Sequence, residues 1–464
     1  MKKFDLNIEK ILENWETKHA IREIIANALD EQKLSKSSEI EISKDPNGSW
    51  HIRDFGRGLR YEHFTQKEND EKLTAEGIIG KFGIGLKDAL ATFERKGVGL
   101  KILSRFGDII MGKSQKLGFE DLITLHAYID EPSNPTLVGT EFILNGLQDT
   151  EIEQAKKLFL KFNDIRVIEN TRFGQVLSNL GNSGGIFING VLVANEDNFL
   201  FSYNITSLNS AIKKAMNRER TNVGRTAYAN TVKNILLECN SQEVAERLSA
   251  DLSQYSYGNN HDELKWIDIQ QHAAKILNNF KKVVFVTAED IERGTDIVNE
   301  ARLGGFDVVT IPNNLRDKIA EQNEGEDTDN RVRIFTEFVQ ERNENFEFRI
   351  VSEDVLSFAE KQVWQKKDKI FELIGGKPYQ VLQVVVSETM QKDTTTFMQA
   401  AAVWEPTSRR IIIWRPVLKS EQEFCGTLLH EVAHAISGAT DATRRFESEL
   451  TRLLGILGTK AARE

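Results

Sequence analysis

The sequence predicts an α+β protein of several domains, and three observations support this fold class. The chain has 464 residues, which at about 150 residues per domain suggests roughly three domains. Hydrophobic residues make up 40% and charged residues 28%, the composition of ordinary globular domains. Helical and strand-like hydrophobic patterns alternate along the chain, without internal repeats. A folded protein with more than one core is therefore expected.

These patterns divide the chain into four segments. They predict domains over residues 1–149, 150–278, 279–330 and 331–464. The third segment has the pattern of a small α/β unit, in which buried strands surround a helix. It ends in an acidic stretch at 321–329, which is the best candidate for a linker.

Periodicity and turn residues give the order of elements within the segments. Apolar residues at helical spacing predict a first helix around 21–29. A hairpin is predicted next, with strands at 39–42 and 50–53 around a turn at 45–48. Further strands are predicted at 139–144, 185–193, 283–286, 306–311, 379–386 and 410–414. Two helices close the chain, the first of them over 421–437.

Charge and composition exclude several classes of protein. Sixty basic and 70 acidic residues give a net charge of −10, which argues against a polycation that binds DNA by bulk charge but leaves a local basic groove possible. Apolar runs stay well below the ~18 residues needed to span a membrane. Two cysteines are too few for a disulfide framework, and the start of the sequence shows no secretory signal. We therefore expect a cytoplasmic protein with no membrane partner.

Three polar stretches in the first segment could hold a nucleotide. Glu23, Asn27 and Asp30 share one face of the first helix, although a solvated face would show the same spacing. Asp54 ends the second hairpin strand beside glycines, where its carboxylate could accept a hydrogen bond from an exocyclic amine. The glycine-rich stretch 77–85 precedes a helix and could bind phosphate through backbone N–H groups, yet it lacks the Walker pattern.

In this order the motifs REIIANALDE (22–31), DFGRG (54–58), GKFGIG (80–85) and GTE (139–141) resemble the GHKL ATPases. That group includes Hsp90, MutL, MORC and histidine kinases, and it has the Bergerat ATP-binding fold. The resemblance implies ATP and Mg²⁺ as ligands, Glu23 as the general base and Asn27 as the Mg²⁺ ligand. It implies that Asp54 contacts adenine. The other residues implied at the nucleotide are Asp30, Gly56, Gly58, Gly80, Lys81, Gly83, Gly85 and Thr140.

The GHKL resemblance also distinguishes between activities. Histidine kinases lack the hydrolytic base and carry a phosphoacceptor helix upstream, whereas Glu23 is present here and only some 20 residues precede the first motif. ATP hydrolysis is therefore favoured over phosphotransfer. Segment two has the place of the transducer-like α/β domain, which sends a basic residue to the γ-phosphate. Candidates for this residue, which could equally belong to a solvated charge run, are Lys213, Arg218, Arg220 and Arg225.

A possible metal site lies near the end of the chain. His430 and His434 of HEVAH (430–434) fall one turn apart on the predicted helix 421–437, with Glu431 beside them. A preceding β-branched strand and a following helix make this segment resemble the zincin metallopeptidases, which hold extended substrate along a strand edge. Zn²⁺ needs a third ligand: we prefer Glu447, with Asp441 and Glu449 as alternatives. Asp441 could instead cap the last helix.

Together these motifs predict an ATP-regulated zinc hydrolase, most simply a peptidase, with a zincin-like α+β domain at its C-terminal end. The expected partners are ATP, a protein or peptide substrate and, by analogy with the GHKL family, a second copy of the chain. The alternative is a chaperone-like or DNA-clamping ATPase that binds nucleic acid and whose metal site is structural or inactive. The histidine pair could also have no ligand, in which case residues 421–437 would be a helix with two histidines and ordinary salt bridges.

Overall fold

The computed structural model describes residues 2–6, 15–64, 71–72, 75, 77–79, 85–116, 118–179, 181, 183–218, 223–254, 261–326, 331–394 and 396–463. It divides into two compact units, Met1–Asp251 with Asn259–Ile276 and Leu252–Gly258 with Leu277–Glu464. Each unit contains helices and sheets, so the predicted mixed α+β, multidomain class is confirmed. The division near residue 276 lies close to the predicted boundary after 278, and the other boundaries stay predictions.

The first unit begins with a seven-stranded antiparallel sheet in the order β1-β6-β5-β4-β7-β3-β2. Its strands are β1 (Lys2–Asp5), β2 (Glu41–Lys44), β3 (Trp50–Arg53), β4 (Gly99–Ser104), β5 (Gly107–Lys116), β6 (Phe119–Asp130) and β7 (Thr140–Asn145). The helices are α1 (Thr17–Ser35), α2 (Gly85–Lys96) and α3 (Asp149–Lys156). Ile21, Ile24 and Ile25 of α1 are fully buried in one core with Ile52 and Phe142 of the sheet, which leaves the polar stripe of α1 outside that core.

The predicted hairpin is confirmed, with β2 starting two residues later than expected. Its turn is closed by the N–H of Gly48, which donates to the Asp45 carbonyl oxygen over 3.1 Å. The Asp45 carboxylate accepts a second bond from the N–H of Ser49 at 2.8 Å. Because β3 pairs with β7 on its other side, the residue after β3 follows an interior strand of the sheet, next to the start of β7.

A second sheet of the first unit has the order β11-β10-β12-β9-β8. The strands are β8 (Val167–Asn170), β9 (Gly174–Leu177), β10 (Gly184–Ile188), β11 (Val191–Glu196) and β12 (Ser202–Ile205). The helices that follow are α4 (Ser210–Arg218), α5 (Arg225–Glu238), α6 (Gln242–Ser253) and α7 (Ile267–Phe280). The prediction of one strand over 185–193 is wrong. Asn189 and Gly190 have φ values of 47° and 82°, so they form a tight turn between two antiparallel strands.

Glu263 is a fully buried carboxylate that ties a later segment of the first unit to β12 and the residues before it. Its oxygens accept hydrogen bonds from the backbone N–H groups of Leu200 and Phe201, at 2.9–3.2 Å, and from the Tyr203 hydroxyl at 2.9 Å. Burial raises the pKa of Glu263 to about 7, although the hydrogen bonds from Leu200, Tyr203 and Phe201 oppose this rise.

We expect Glu263→Ala to lower the free energy of unfolding by about 3 kcal/mol, because several buried donors lose their acceptor. Glu263→Gln keeps one acceptor oxygen and serves as the control, with a smaller loss. A carboxyl with a raised pKa stabilises the fold at low pH and loses that contribution as pH rises through about 7. Urea unfolding should therefore show the stability of the wild type declining relative to the Glu263→Gln variant between pH 5 and 8, and a constant difference would contradict this.

The second unit starts with two parallel strands, β13 (Val283–Val286) and β14 (Asp307–Thr310). They match the two strands predicted in the third segment, although only β13 is fully buried and two helices rather than one lie between the strands. The helices here are α8 (Ala288–Arg293), α9 (Thr295–Leu303), α10 (Asn313–Asn323) and α11 (Phe335–Glu344).

A four-stranded sheet in the order β15-β16-β18-β17 follows in the second unit. Its strands are β15 (Ile350–Val351), β16 (Gln383–Ser387), β17 (Ala402–Glu405) and β18 (Arg410–Trp414), and its helices are α12 (Phe358–Trp364), α13 (Lys366–Ile374), α14 (Glu421–Ser437) and α15 (Arg444–Ala461). The bounds of α14 are those predicted. Phe424, Leu428 and Val432 bury one face of α14 in a core with Ile411 and Ile413, so its other face is left for the two histidines. Among the described residues, no helix combines the length and apolar character needed to cross a membrane.

Candidate functional site

His430, His434 and Asp441 bring three possible ligand atoms together in the second unit. The Nε2 atoms of the histidines lie 3.1 Å apart. Asp441 Oδ1 lies 3.1 Å from Nε2 of His430 and 3.3 Å from Nε2 of His434. Tetrahedral zinc has ligands at ~2.0–2.1 Å, which places neighbouring ligand atoms roughly 3.3 Å apart. The three atoms therefore have the spacing of one face of a tetrahedral zinc site.

The turn after α14 fixes the ring of His434. Gly438 ends the helix in the left-handed conformation, with φ at 59°, and the chain turns back past the end of the helix. The Ala439 carbonyl oxygen then lies 2.7 Å from Nδ1 of His434. Because a carbonyl can only accept, Nδ1 carries the proton and donates it. The neutral ring consequently has its lone pair on Nε2, the atom that faces His430 and Asp441.

Phe446 packs against both histidine rings. It stacks on His434 with ring centroids 4.2 Å apart and meets His430 edge-on at 4.8 Å. Phe446 is itself buried on the first turn of α15, so it restricts the orientation of both imidazoles. Sequence reasoning missed this residue, since a phenylalanine at helical spacing is normally a core residue and nothing in the motif marks it.

Glu431 lies beside the histidines on α14, and it is 7% exposed. Burial is the main cause that raises its pKa to about 7, and the negative charge of Asp441 adds to the rise. A hydrogen bond from the backbone of Trp404, on β17, acts in the opposite direction. A carboxyl group that titrates near neutral pH can exchange a proton with a reacting water in either direction.

The structure favours Asp441 over Glu447, the third ligand that the sequence analysis preferred. Glu447 is exposed, and the cluster found among the described residues does not include it. Glu449 forms an ion pair with Arg452 at 2.6 Å. The rival role of Asp441 as a helix cap is wrong, because Thr443 caps α15 by accepting a bond from the N–H of Phe446.

The cluster opens into a cavity of about 1110 Å³. The cavity is lined by the histidine face of α14, by residues 402–404 of β17, by polar residues 391–394 and by Thr396. The side chains of His430 and Asp441 are 39% and 66% exposed. Structural zinc sites are closed by four protein ligands, whereas catalytic sites keep one position open to a wet cleft. The arrangement here is of the open kind.

In the first unit, the polar stripe of α1 forms a second group of candidate residues. Asp30 is almost fully buried, and its Oδ1 accepts the N–H of Ile79 at 2.7 Å. The Nζ of Lys72 lies 3.3 Å from Oδ2 of Asp30 and 3.0 Å from Oδ1 of Asn27. The stripe is therefore not a solvated face, which was the alternative explanation of its spacing.

Glu23, one turn before Asn27, is buried with Arg22. The Arg22 guanidinium donates to Oε1 of Glu23 at 2.6 Å, and the two side chains are only 3% and 6% exposed. Glu23 therefore lies on α1 with Asn27 and Asp30, as predicted, and its carboxylate is bound by Arg22.

Asp54 follows β3 and is 6% exposed. Its Oδ1 accepts the N–H of Gly56 at 2.9 Å, and its backbone N–H donates to the carbonyl of Thr140, a buried residue at the start of β7. Burial raises the pKa of Asp54 to about 6. Gly139 must be glycine, because a Cβ there would lie 1.8 Å from the Asp54 carbonyl oxygen. The structure thus brings Asp54 and Thr140 together.

The expected glycines have different surroundings. A Cβ on Gly56 would lie 2.3 Å from Cγ of Glu31, and Gly58 has φ at 88°, so packing against Glu31 and backbone conformation, respectively, favour these glycines before any ligand is considered. Gly85 is buried at the start of α2. Gly80, Lys81 and Gly83 lie outside the described residues, and their phosphate-binding role stays a prediction.

The candidates for a γ-phosphate contact are only partly described. Arg225 forms an ion pair with Asp262 at 2.5 Å and approaches Glu196 at 3.6 Å. The Arg218 side chain and Arg220 lie outside the described part of the chain. The ion pair with Asp262 argues against Arg225 as the γ-phosphate contact, because nucleotide binding would have to break that ion pair.

Comparison with known proteins gives three similarities. A family model described as the Mycoplasma pneumoniae MPN635 N-terminal domain matches residues 150–242. An uncharacterized protein of Mycoplasma pneumoniae is 37% identical over 241 residues, which are 51% of this chain and 97% of the relative. A second uncharacterized protein of that organism is 24% identical over 352 residues, covering 70% of this chain and 96% of the relative. The chain thus covers nearly the full length of both relatives.

Proposed function

We propose that this chain, which belongs to the protein family of the 37% identical Mycoplasma pneumoniae relative, is a zinc-dependent hydrolase regulated by ATP. The observation that carries the proposal is the triangle of His430, His434 and Asp441 ligand atoms at 3.1–3.3 Å, open to a large cavity and flanked by buried Glu431. Two imidazoles and a carboxylate are a ligand set that suits zinc and leaves a fourth position for a reactant.

The chain's own residues have distinct roles in this proposal. His430, His434 and Asp441 hold the ion, which when bound supplies the Lewis acidity that polarises a carbonyl and lowers the pKa of water. Glu431 accepts the proton of the attacking water and returns it to the leaving group, a role that suits a pKa near 7. The Ala439 carbonyl and Phe446 hold the imidazoles in position.

A peptide is the substrate class that best fits the surroundings of this site. β17 is an edge strand of its sheet, paired only with β18 among the described strands, and its residues 402–404 line the cavity beside Glu431. An extended peptide can add to such an edge through main-chain hydrogen bonds. This is the geometry that the resemblance to zincin metallopeptidases implies, and we propose a zincin-like fold for this domain.

For the first unit we propose a Bergerat-type nucleotide site. Asp54 would accept the adenine amine, and Asn27 would hold Mg²⁺ with Glu23 as the base one helical turn away. The support is the seven-stranded sheet with α1 packed on it, the burial of Asp54 beside Thr140, and the convergence of Asn27 and Asp30 on one cation. Positioning of water and phosphate accounts for most of the catalysis of phosphoryl transfer.

The hydrolase proposal predicts a metal-dependent cleavage that needs Glu431. Zinc-loaded wild type should cleave an unfolded protein such as reduced casein, and Glu431→Gln should lower the rate at least about 100-fold while keeping the zinc. Mass spectrometry of the products, with and without Mg²⁺–ATP, measures both the cleavage and its regulation. Zinc retained with no cleavage by the wild type would instead favour an ATPase whose metal site is structural, and equal cleavage by wild type and Glu431→Gln would contradict the role of Glu431.

A further inference from the structure

Lys72 occupies a position among oxygen ligands that suits a divalent cation. Its ammonium nitrogen lies 3.0 Å from the amide oxygen of Asn27 and 3.3 Å from a carboxylate oxygen of Asp30. The Lys72 side chain is only 15% exposed and that of Asp30 1%. Amide and carboxylate oxygens are the hard ligands that Mg²⁺ prefers in proteins, so a lysine charge stands where a metal charge fits.

The residue before Lys72 is tied to the same helix by a second ion pair. Glu71 accepts two bonds from Nη1 of Arg57 at 2.9 and 3.1 Å. Arg57 also makes a two-pronged contact with Glu31 of α1, at 2.8 and 3.0 Å. These charge-assisted contacts hold residues 71–72 against the end of α1. The position of Lys72 is therefore fixed by its neighbours as well as by its own charge.

We infer that Lys72 is an internal counter-cation of the nucleotide site, whose ammonium group must leave Asn27 and Asp30 before Mg²⁺ can bind with a nucleotide. This inference rests on the proposed ATP site. Two cations cannot share the same pair of oxygens, because their repulsion is only weakly screened in a partly buried site. The contact stabilises the nucleotide-free state, and it raises the apparent Kd for Mg²⁺ in inverse proportion to the fraction of molecules in which Lys72 is released.

Calorimetry with a non-hydrolysable ATP analogue, with and without Mg²⁺, tests this competition. We expect Mg²⁺ to strengthen binding at least ~10-fold more in Lys72→Ala than in the wild type, because the competing charge is gone. Lys72→Gln should behave like Lys72→Ala and keeps a polar group for Asp30 should the alanine variant be unstable. Lys72→Arg and the surface control Lys101→Ala, which removes a pair with Asp108, should match the wild type. An unchanged or smaller Mg²⁺ effect in Lys72→Ala and Lys72→Gln overturns the inference.

A second measurement separates this inference from the proposed function. Mn²⁺ binding without nucleotide, followed by electron paramagnetic resonance, reports the oxygen site directly. Tighter Mn²⁺ binding in Lys72→Ala than in the wild type supports the competition even if no nucleotide binds, in which case the ATP site alone fails. Equal Mn²⁺ affinity in Lys72→Ala, Lys72→Gln and the wild type overturns the role of Lys72 whatever the nucleotide result is.

Discussion

His434→Ala is expected to remove the zinc from the protein. His434 supplies one of three ligand atoms that lie 3.1–3.3 Å apart, and the remaining His430 and Asp441 are both substantially exposed. Loss of groups that only orient a ligand costs metal affinity 10–100-fold, so loss of the ligand itself should cost more than about 100-fold. Mass spectrometry of metals should find one zinc per wild-type chain and almost none in the variant.

Three further variants test the ligand assignment. His63→Ala removes a histidine of the first unit, outside the cluster, and should keep the full zinc content. Asp441→Ala should lose zinc as His434→Ala does, whereas Glu447→Ala should keep it. Zinc retained by Asp441→Ala but lost from Glu447→Ala would show that the third ligand is the one that sequence reasoning preferred.

The helix that carries the histidines could be predicted from the sequence, but the third ligand could not. Ser420 caps α14 and Gly438 ends it, and both signals are local. The choice between Asp441 and Glu447 depends on where the last helix starts and which face it turns inward. Since Phe446 faces the histidine rings, the next residue points about 100° away from them. That orientation is set by packing, which spacing alone does not reveal.

In the rest of the fold, elements marked by local sequence signals could again be predicted, whereas elements that depend on long-range pairing could not. The hairpin of β2 and β3 was predictable from its turn residues, and the parallel strands β13 and β14 from their apolar runs. The turn at Asn189 and Gly190 was missed because apolar residues continue on both sides of it. β1 could not have been found from its charged sequence, since it is a strand that pairs with the distant β6, with Lys2 opposite Ile129.

The motifs that resemble the GHKL ATPases could be recognised as a pattern in the sequence, while the contacts of their side chains could not. The position of Asp54 at a strand end follows from the hairpin, and its burial beside Thr140 requires the pairing of β3 with β7. Neither the Arg22 partner of Glu23 nor the Lys72 contact with Asn27 can be read from spacing. Each of these contacts forms only because the folded backbone brings the two side chains together, and other charged residues nearby in the sequence are equally plausible partners.

Glu23→Gln is expected to abolish ATP turnover while leaving nucleotide binding intact. Removing a general base costs typically 10²–10⁴-fold in rate, whereas the affinity should change by less than about threefold because the base contacts water rather than nucleotide. Glutamine keeps an oxygen that can accept from Arg22, so the buried pair loses charge but not shape. Phosphate release gives the rate, and calorimetry with the Mg²⁺ complex of an ATP analogue gives the affinity.

Asp54→Ala should weaken ATP binding and leave the maximal rate of hydrolysis unchanged, because the Asp54 carboxylate would bind adenine and take no part in hydrolysis. Loss of a hydrogen bond to a charged group costs about 1.5–3 kcal/mol, or roughly 10–150-fold in affinity, and turnover should recover at saturating ATP. Glu39→Gln, a substitution of an exposed surface residue, controls for loss of charge.

If Glu23→Gln turns over ATP at the wild-type rate, hydrolysis at this site is contradicted. If it loses turnover but casein cleavage keeps the same rate with and without ATP, the two sites are not coupled.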